Sequence, residues 1–334
     1  MAILTPLTLE DVTPSLRSFG VEAVAIRGLL AGSVNSNFEV TTKAGSRFFA
    51  RLYEEQDAAG AAREASLLAR LAQLGVPVVR PLERDDAINA TTSTALAIVR
   101  GKPMAVFPFA PGVHRCQRSV SVEDVRRVGA SLAKVHVAGE SIDAALTTES
   151  RFRLDALTAR LRALGPLGPA LEGVRSTLYR ELDDVAEWKP ASSVAPLIHG
   201  DLFRDNVLFD DSVPGGGIGS LRLLDFESAS RGLVAFDVMV TLLAYTFDDT
   251  LRLDLGRALL EGYRTARELS DDEREDLFGA GLFACARFTS TRLTDYELRP
   301  RGVGVYKDFR RWVHRRAALV EVGASQLVDA LGLR

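Results

Sequence analysis

The chain of 334 residues is long enough for two domains or for one bilobal enzyme with a large core. Its 47% of hydrophobic and 25% of charged residues are ordinary for a soluble globular protein. The net charge of -3 argues against a general nucleic-acid binder, because such proteins usually carry a basic face.

The first third of the sequence predicts a small antiparallel β-sheet accompanied by two helices. Apolar runs with strand character cover residues 23–30, 38–42, 47–53, 95–99 and 104–109. Helical periodicity covers residues 8–18, with Thr8 as the N-cap, and residues 57–74, which Gly75 closes.

Two features of this region suit a nucleotide cofactor. The polar loop of residues 31–37 includes Ser33 and Asn35 and can place backbone N–H groups over phosphates, although an ordinary hairpin connection has the same pattern. Arg51 on the third strand and Glu64 on the following helix form the kind of pair that holds nucleotide phosphates in kinase-like folds. Solvated surface charges are the alternative interpretation of that pair.

A break at residues 107–112, FPFAPG, interrupts both strand and helix periodicity. It predicts a hinge between a β-rich N-terminal nucleotide-binding lobe, residues 1–108, and a helical C-terminal lobe, residues 109–334, with the catalytic loop and the substrate site. The hinge backbone at Phe109 is a place where the edge of an adenine can pair.

Beyond the hinge the sequence is mostly helical. Helices are predicted at residues 121–137, 151–164, 171–188, 236–247, 251–269, 271–296 and 305–331. His136, in the first of them, has the context of a buried structural partner. The predicted fold class is therefore α+β, with a small antiparallel β-sheet lobe and a larger, mainly helical lobe.

Residues 197–227 bring acids and amides together around two strand segments, 207–209 and 221–224. Asp201, Asn206 and Asp225 are hard oxygen donors of the kind that Mg²⁺ and a reacting hydroxyl need. Asp201 can accept a proton from an attacking hydroxyl, whereas Asn206 and Asp225 can complete a metal sphere. We interpret His199 as a backbone anchor and Asp237 as an N-cap or a buried brace of this loop.

The remaining features point to a cytoplasmic protein. Cys116 and Cys285 belong to no CxxC or Cys/His pattern, which favours free thiols in a reducing cytosol. The N-terminal residues lack the basic and apolar regions of a signal peptide, and no stretch reaches the about 18 apolar residues of a membrane-spanning helix. We expect a monomer or homodimer whose partner is a small-molecule hydroxyl substrate, with no nucleic acid and no membrane.

The segments HGDLFRDNVLF and LLDFESASRGLVAFDVMV resemble the aminoglycoside phosphotransferase and choline kinase superfamily, whose fold is bilobal and protein-kinase-like. The likeness also covers SVNSNFEV, FFARLYEE, the helix with Glu64, FPFAPG and LAKVH. Within the superfamily, DLFRDNVLF, LLEGYRTARELSDDERE and RFTSTRLTDYEL are similar to the homoserine kinases of this fold. Those kinases read HAD and IDFYF where this chain has HGD and LDFES.

The resemblance implies ATP and Mg²⁺ as cofactors, with Asp201 as the catalytic base. By the same motifs, Asn206 and Asp225 would be the Mg²⁺ ligands. Arg51, where many relatives have lysine, and Glu64 would hold phosphate; arginine keeps the charge but has a broader fork.

The implied reaction is phosphorylation of a small-molecule hydroxyl, with L-homoserine as the first candidate acceptor and an aminoglycoside or amino alcohol as the alternative. An amino-acid carboxylate favours a bidentate arginine. Arg287 and Arg292, on one predicted helix, are the candidates, and both can equally be structural. Arg204 can neutralise the transferred phosphate or pair with a neighbour. A non-catalytic pseudokinase would usually lack a base or metal residue, and this chain retains all three.

Overall fold

Strands dominate the chain before residue 111 and helices dominate it afterwards. The computed structural model describes residues 4–29, 34–85, 94–212, 220–298 and 306–334. The described residues form two units: those within Met1–Pro111 and Asp143–Leu146 belong to the first, and those within Gly112–Ile142, Thr147–Arg299 and Tyr306–Arg334 belong to the second.

The first unit is built on a five-stranded antiparallel sheet flanked by two helices. Its strands are β1 (Ala23–Leu29), β2 (Ser36–Thr42), β3 (Arg47–Leu52), β4 (Ala97–Val99) and β5 (Lys102–Pro108), in the spatial order β1-β2-β3-β5-β4. The helices are α1 (Leu9–Ser18) and α2 (Ala58–Gln73). All five predicted strands and both helices are confirmed, with small differences at their ends.

The two faces of this sheet differ because side chains alternate along a strand. Val12 and Leu16 of α1 pack with Phe38, Val40 and Leu52 in one hydrophobic cluster. Thr8 caps α1 as predicted, since its side chain accepts from the backbone of the third helical residue.

The other face of the sheet carries Arg51, the neighbour of buried Leu52 on β3. Arg51 meets Glu64 of α2 on that face. The strand and the helix therefore hold this ion pair between them.

The second unit is mainly helical. Its helices are α3 (Val122–Glu140), α4 (Leu154–Arg162), α5 (Pro169–Glu187), α6 (Val234–Thr246), α7 (Leu253–Arg264), α8 (Asp271–Arg292), α9 (Arg310–Val322) and α10 (Ala324–Ala330). Its short strands are β6 (Leu197–Ile198), β7 (Val207–Phe209), β8 (Leu221–Leu223), β9 (Ser230–Arg231), β10 (Phe247–Asp248) and β11 (Thr250–Leu251). α6 is buried along its whole length and packs against α7 and α8, so it forms the centre of the unit.

Helices α3 and α7 approach each other at two glycines. A Cβ atom on Gly129 of α3 would overlap the carbonyl oxygen of Leu259, and one on Gly262 of α7 would overlap the carbonyl oxygen of Arg126. The two contacts are reciprocal, because each glycine receives the backbone of the other helix. Only residues without a side chain permit this distance between the helices.

Two predicted helix ends are wrong. The single helix predicted for residues 305–331 is split into α9 and α10, because Gly323 adopts a left-handed conformation with φ of 72°. The helix predicted for residues 271–296 ends at Arg292 and continues as a π-helical turn, Leu293–Glu297. Both errors arise from backbone geometry that hydrophobic periodicity does not report.

Candidate active site

The loop between β6 and β7 carries Asp201 and Asn206, and the end of β8 carries Asp225. β7 and β8 pair antiparallel, and the backbone N–H of Leu224 donates to the carbonyl of Asn206 at 2.9 Å. This bond places the segment with Asp225 directly beside Asn206. The hairpin therefore brings the two predicted metal ligands together, next to the loop with the predicted base.

Asp201 lies in a largely enclosed position, with 26% of its side chain exposed. Burial raises the pKa of Asp201 to about 6, although the positive charges of Arg287 and Lys307 act in the opposite direction. The negative charge of Asp225 also raises the pKa of Asp201, which indicates that the two carboxylates lie near each other. Asp201 is thus easier to protonate than an ordinary aspartate.

Asn206 is held by the backbone of the same loop. Its Nδ2 atom donates to the carbonyl of Asp201 at 2.8 Å, and the residue is buried. Because the amide nitrogen is used in this way, the amide oxygen is the atom that can act as a ligand.

Asp225 occupies an unusual backbone conformation, with φ of 60° and ψ of 69°. This left-handed region is uncommon for residues other than glycine, although asparagine and aspartate tolerate it better than most. Strained residues of this kind cluster at functional sites. The conformation turns the chain sharply where β8 ends, beside Asn206.

His199 joins the loop to the strand that precedes Asp225. The backbone N–H of Asp201 donates to His199 Nδ1 at 3.3 Å, so this ring nitrogen carries no proton. The proton of the neutral ring lies on Nε2, which donates to the carbonyl of Leu224 at 2.9 Å. His199 is therefore a backbone anchor, as the sequence indicates.

Asp237, in the first turn of α6, holds the backbone of the loop by hydrogen bonds. The backbone N–H groups of His199 and Gly200 both donate to its carboxylate at 2.7 Å, and His136 Nε2 lies 3.1 Å from it. Burial alone would raise the pKa of Asp237, but hydrogen bonding and the charge of His136 hold it below its ordinary value. Asp237 is the predicted buried brace, and His136 is its buried partner.

Arg287 of α8 also contacts the loop backbone. Its Nη1 atom donates to the carbonyl of Gly200 at 2.9 Å and lies 3.6 Å from Asp201 Oδ1. The guanidinium lies 3.9 Å from the centre of the Phe288 ring, and only 3% of the residue is exposed. Burial lowers the pKa of Arg287 to about 10. These contacts favour the structural alternative for Arg287 over direct contact with substrate.

Arg292 and Arg204 also donate to backbone carbonyls. Arg292 Nη1 donates to the carbonyl of Asp308 at 3.1 Å, and its guanidinium faces the rings of Phe203 and Trp312. Arg204 donates to the carbonyl of Ala244, near the C-terminal end of α6. Arg204 therefore pairs with a backbone neighbour.

The residues predicted to bind the nucleotide lie in the first unit. Arg51 Nη1 and Glu64 Oε1 are 3.1 Å apart and both side chains are largely buried, so the two do not form a solvated surface pair. Asn35 Oδ1 accepts from the backbone N–H of Glu54 at 3.2 Å. Ser33 lies outside the described residues.

Phe109 follows β5 directly. Its backbone N–H donates to the carbonyl of Arg47 at 3.2 Å, and the guanidinium of Arg47 lies 3.8 Å from the centre of its ring. The end of the sheet therefore fixes both the backbone and the ring of Phe109.

The basic residues Lys307, Arg311 and Arg315, just before α9 and on it, were not predicted as site residues. Lys307 Nζ lies 3.3 Å from Asp205 Oδ2 in the loop with Asp201, and Arg311 and Arg315 follow on the helix. Their i, i+4 spacing puts both arginines on one side of α9. That spacing was the available signal, but charged residues at such spacing usually form a solvated face.

The donor atoms of the hairpin suit a magnesium ion. Asn206 and Asp225 offer an amide oxygen and a carboxylate, and Mg²⁺ in phosphoryl-transfer sites takes one or two carboxylates together with phosphate oxygens and water. In the described parts of the chain no group of three or more His, Cys, Asp or Glu side chains has metal-binding geometry. A magnesium site whose coordination is completed by phosphate oxygens and water does not need three such side chains.

Comparison with known proteins gives consistent matches. The family model described as "Phosphotransferase enzyme family" matches residues 25–269. A homoserine kinase from Caulobacter sp. (strain K31) is 32% identical over 320 residues, covering 90% of this chain and 91% of that protein.

Among solved structures, amicoumacin kinase hAmiN aligns with a TM-score of 0.67 at 14% identity, covering 90% of this chain and 89% of that one. A microcompartment-associated aminopropanol kinase aligns with a TM-score of 0.64 at 17% identity, covering 98% and 99%. These likenesses confirm the predicted protein-kinase-like fold. No helix in the described residues is both long and apolar enough to cross a membrane.

Proposed function

Because this chain belongs to the phosphotransferase enzyme family and is a small-molecule kinase, we propose that it transfers the γ-phosphoryl group of ATP to the hydroxyl of L-homoserine with the help of Mg²⁺. The observation that carries the reaction is the hairpin that assembles Asp201, Asn206 and Asp225. Homoserine as the acceptor is supported by the homoserine kinases that match this chain over 90% and 91% of its length.

Asp201 acts as the base in this proposal. A carboxylate beside the acceptor hydroxyl orients it and accepts its proton as the new bond to phosphorus forms. Rigidity of the loop matters because phosphoryl transfer depends mainly on positioning and on charge stabilisation. His199, Asp237 and Arg287 supply that rigidity, since each contacts the backbone of residues 199–201.

Asn206 and Asp225 hold Mg²⁺ in this proposal. The ion, when bound, neutralises the charge of the β- and γ-phosphates. Arg51 supports the phosphates from the first unit, oriented by Glu64. Asn35, Ser33 and Phe109 stay candidates for contacts with the nucleotide.

Replacement of Asp201 by asparagine tests the reaction. We expect Asp201→Asn to lower kcat by about 10²-fold or more, because general-base contributions are of that size, while the thermal unfolding temperature changes little. Asp210→Asn is the matched control, since Asp210 follows β7 and its carboxylate accepts hydrogen bonds only from Ser212 among the described residues. Unchanged turnover by Asp201→Asn would contradict the assignment of the base.

An acceptor screen tests the substrate. ADP production is measured with L-homoserine, 3-aminopropan-1-ol, choline and an aminoglycoside, each at the same concentration. We expect homoserine to give the highest kcat/KM. Transfer to an aminoglycoside or an amino alcohol in preference to homoserine would reject the proposed acceptor but not the reaction. Absence of transfer to every acceptor would favour the non-catalytic alternative.

A further inference from the structure

Five basic side chains of the second unit lie near the loop with Asp201, and two of them contact one aromatic group. We call them the basic cluster: Arg204, Lys307, Arg292, Arg311 and Arg315. The aromatic group consists of Phe203, two residues after Asp201, with Phe288 and Trp312.

Two arginines of the cluster share one ring. The guanidinium carbon of Arg292 lies 5.8 Å from the centre of the Trp312 ring, and that of Arg315 lies 5.1 Å from it. Arg292 also faces Phe203, with 5.7 Å between its guanidinium carbon and the ring centre. These contacts join α8, α9 and the loop with Asp201 at a single place.

The C-terminal end of α6 accounts for the positions of Arg315 and Arg204. Arg315 Nε donates to the carbonyl of Leu243 at 2.8 Å, and Arg204 donates to the next carbonyl, that of Ala244. Carbonyls at a helix C-terminus attract cations. Capping of α6 is therefore a sufficient reason for Arg204 and Arg315, but it does not involve Arg311.

Arg311 has no hydrogen bond or ion pair through its side chain with any residue that the structure describes. It lies close to the other arginines, because Arg315 Nη1 donates to its backbone carbonyl at 2.8 Å. Burial and, to a smaller extent, the positive charge of Arg311 lower the pKa of Arg292 to about 10 and the pKa of Arg315 to about 9. Arg311, which is exposed to solvent, thus adds a positive charge, unpaired among the described residues, next to two other guanidinium groups.

Two carboxylates, those of Asp201 and Asp205, act electrostatically on members of the cluster. Asp205 pairs with Lys307, and no described carboxylate lies within ion-pair distance of any of the four arginines. The Trp312 Nε1–H group is buried and has no acceptor among the described residues. Several donors without an anionic acceptor are the arrangement that an anionic ligand completes.

We propose that the basic cluster binds the carboxylate of the acceptor substrate, with Arg311 and Arg292 as its principal partners. This assignment rests on the proposed function and names the residues that recognise an amino-acid acceptor. It replaces Arg287, which is only 3% exposed, whereas Arg292 is partly exposed and Arg311 is exposed. It also disfavours a polycationic acceptor, because the cluster would repel one.

Arg311→Ala tests the assignment with a pair of acceptors. L-homoserine and 3-aminopropan-1-ol differ only by the carboxylate. We expect Arg311→Ala to lower kcat/KM for homoserine by about 10- to 100-fold, mainly through KM, because a hydrogen bond to a charged group has that value. The value for 3-aminopropan-1-ol should change less than about 2-fold, since that acceptor lacks the group concerned.

The control is Arg310→Ala, one position earlier on α9. Arg310 is exposed and pairs with Asp308 and Glu297, so its charge is already compensated. We expect Arg310→Ala to leave both acceptors unchanged. An equal loss for both acceptors in Arg311→Ala, or no loss for either, would overturn the carboxylate assignment.

A second measurement keeps the cluster testable if the wild-type chain does not phosphorylate homoserine, which would reject the proposed function alone. Sulfate replaces chloride at constant ionic strength, and the Tm is recorded for the wild type and for Arg311→Ala. We expect sulfate to raise the Tm of the wild type by about 2 °C more than that of the variant. Equal shifts would overturn the anion site whatever the acceptor.

Discussion

One buried carboxylate, that of Asp237, fixes the backbone on which Asp201 depends. It accepts hydrogen bonds from two consecutive N–H groups of the loop, and the ring of His136 holds it from the other side. His136 Nδ1 in turn lies 2.8 Å from the hydroxyl of Tyr263 on α7. The position of the proposed base is therefore set by a chain of buried polar contacts that reaches a different helix.

We expect Asp237→Asn to lower the free energy of unfolding by about 3 kcal/mol, because a buried carboxylate that accepts hydrogen bonds from the backbone N–H groups of His199 and Gly200 is lost. The folded pKa of Asp237 is below its unfolded value. Its contribution is therefore complete above about pH 4, the ordinary value for aspartate, and is lost as pH falls through the folded pKa.

Denaturant unfolding from pH 7 to pH 3 measures this effect. The difference in stability between the wild type and Asp237→Asn should shrink toward the acid end of the range. A difference that stays constant would show that the ionised form of Asp237 does not stabilise the fold.

The sequence was informative about individual residues where local spacing determines the chemistry. Asp201, Asn206 and Asp225 occur at spacings that a turn and a hairpin bring together, so their proximity could be predicted. The surroundings of Arg287 and Arg311 could not be predicted. They depend on which face of a helix meets the loop, and on contacts between residues distant in the chain.

Elements of the second unit are positioned by backbone contact as well as by apolar packing. The crossing of α3 and α7 at Gly129 and Gly262 brings the two backbones together. Each helix contributes to the buried contacts of Asp237, because α3 carries His136 and α7 carries Tyr263. The distance between these helices consequently affects the loop with the proposed base.

Gly262→Ala tests this arrangement. We expect a loss of about 3 kcal/mol in the free energy of unfolding, because the added methyl group would overlap the backbone of α3. Gly173→Ala, in the middle of α5, is the matched control, since nothing lies within 4 Å of its added Cβ atom. That variant should gain about 0.5–1 kcal/mol from helix propensity. Chemical denaturation of both variants measures the two effects, and equal stabilities would contradict the close approach.

Element positions were predicted well from periodicity, and element ends were not. The alternation of β2, the aromatic run of β3 and the apolar face of α2 indicate their secondary structure directly. The break at Gly323 depends on one positive φ angle, and the π-turn after Arg292 depends on tertiary contacts. Neither the φ angle of Gly323 nor the π-turn changes the periodicity of hydrophobic residues.

At the scale of the molecule, the residues proposed to take part in the reaction occur in both units. Arg51 and Glu64 belong to the first unit, and the residues proposed for metal binding and proton transfer belong to the second. The protein-kinase-like fold was predictable because several motifs along the chain agree with one another. The acceptor was harder to predict from the sequence, since the groups that would select it lie on helices without a distinctive motif.

Binding of the nucleotide should therefore be visible in the stability of the whole chain. We expect saturating ATP with Mg²⁺ to raise the Tm by about 5 °C, because a ligand that binds only the folded state stabilises it. Addition of EDTA should remove most of the shift. The Asp225→Asn variant should show only the smaller, metal-independent part. A shift of the same size with and without Mg²⁺ would contradict the proposed role of Asp225.

The left-handed backbone of Asp225 has an evolutionary consequence. Among the residues that tolerate this conformation, glycine and asparagine lack a negative charge, and the other carboxylate residue, glutamate, tolerates it poorly. In the role proposed here, backbone shape and ligand charge thus coincide on one side chain, and every exchange loses one of them. In copies of the gene that keep the activity, substitutions of Asp225 should therefore be rare. Retention of this residue would then mark the copies that are still active.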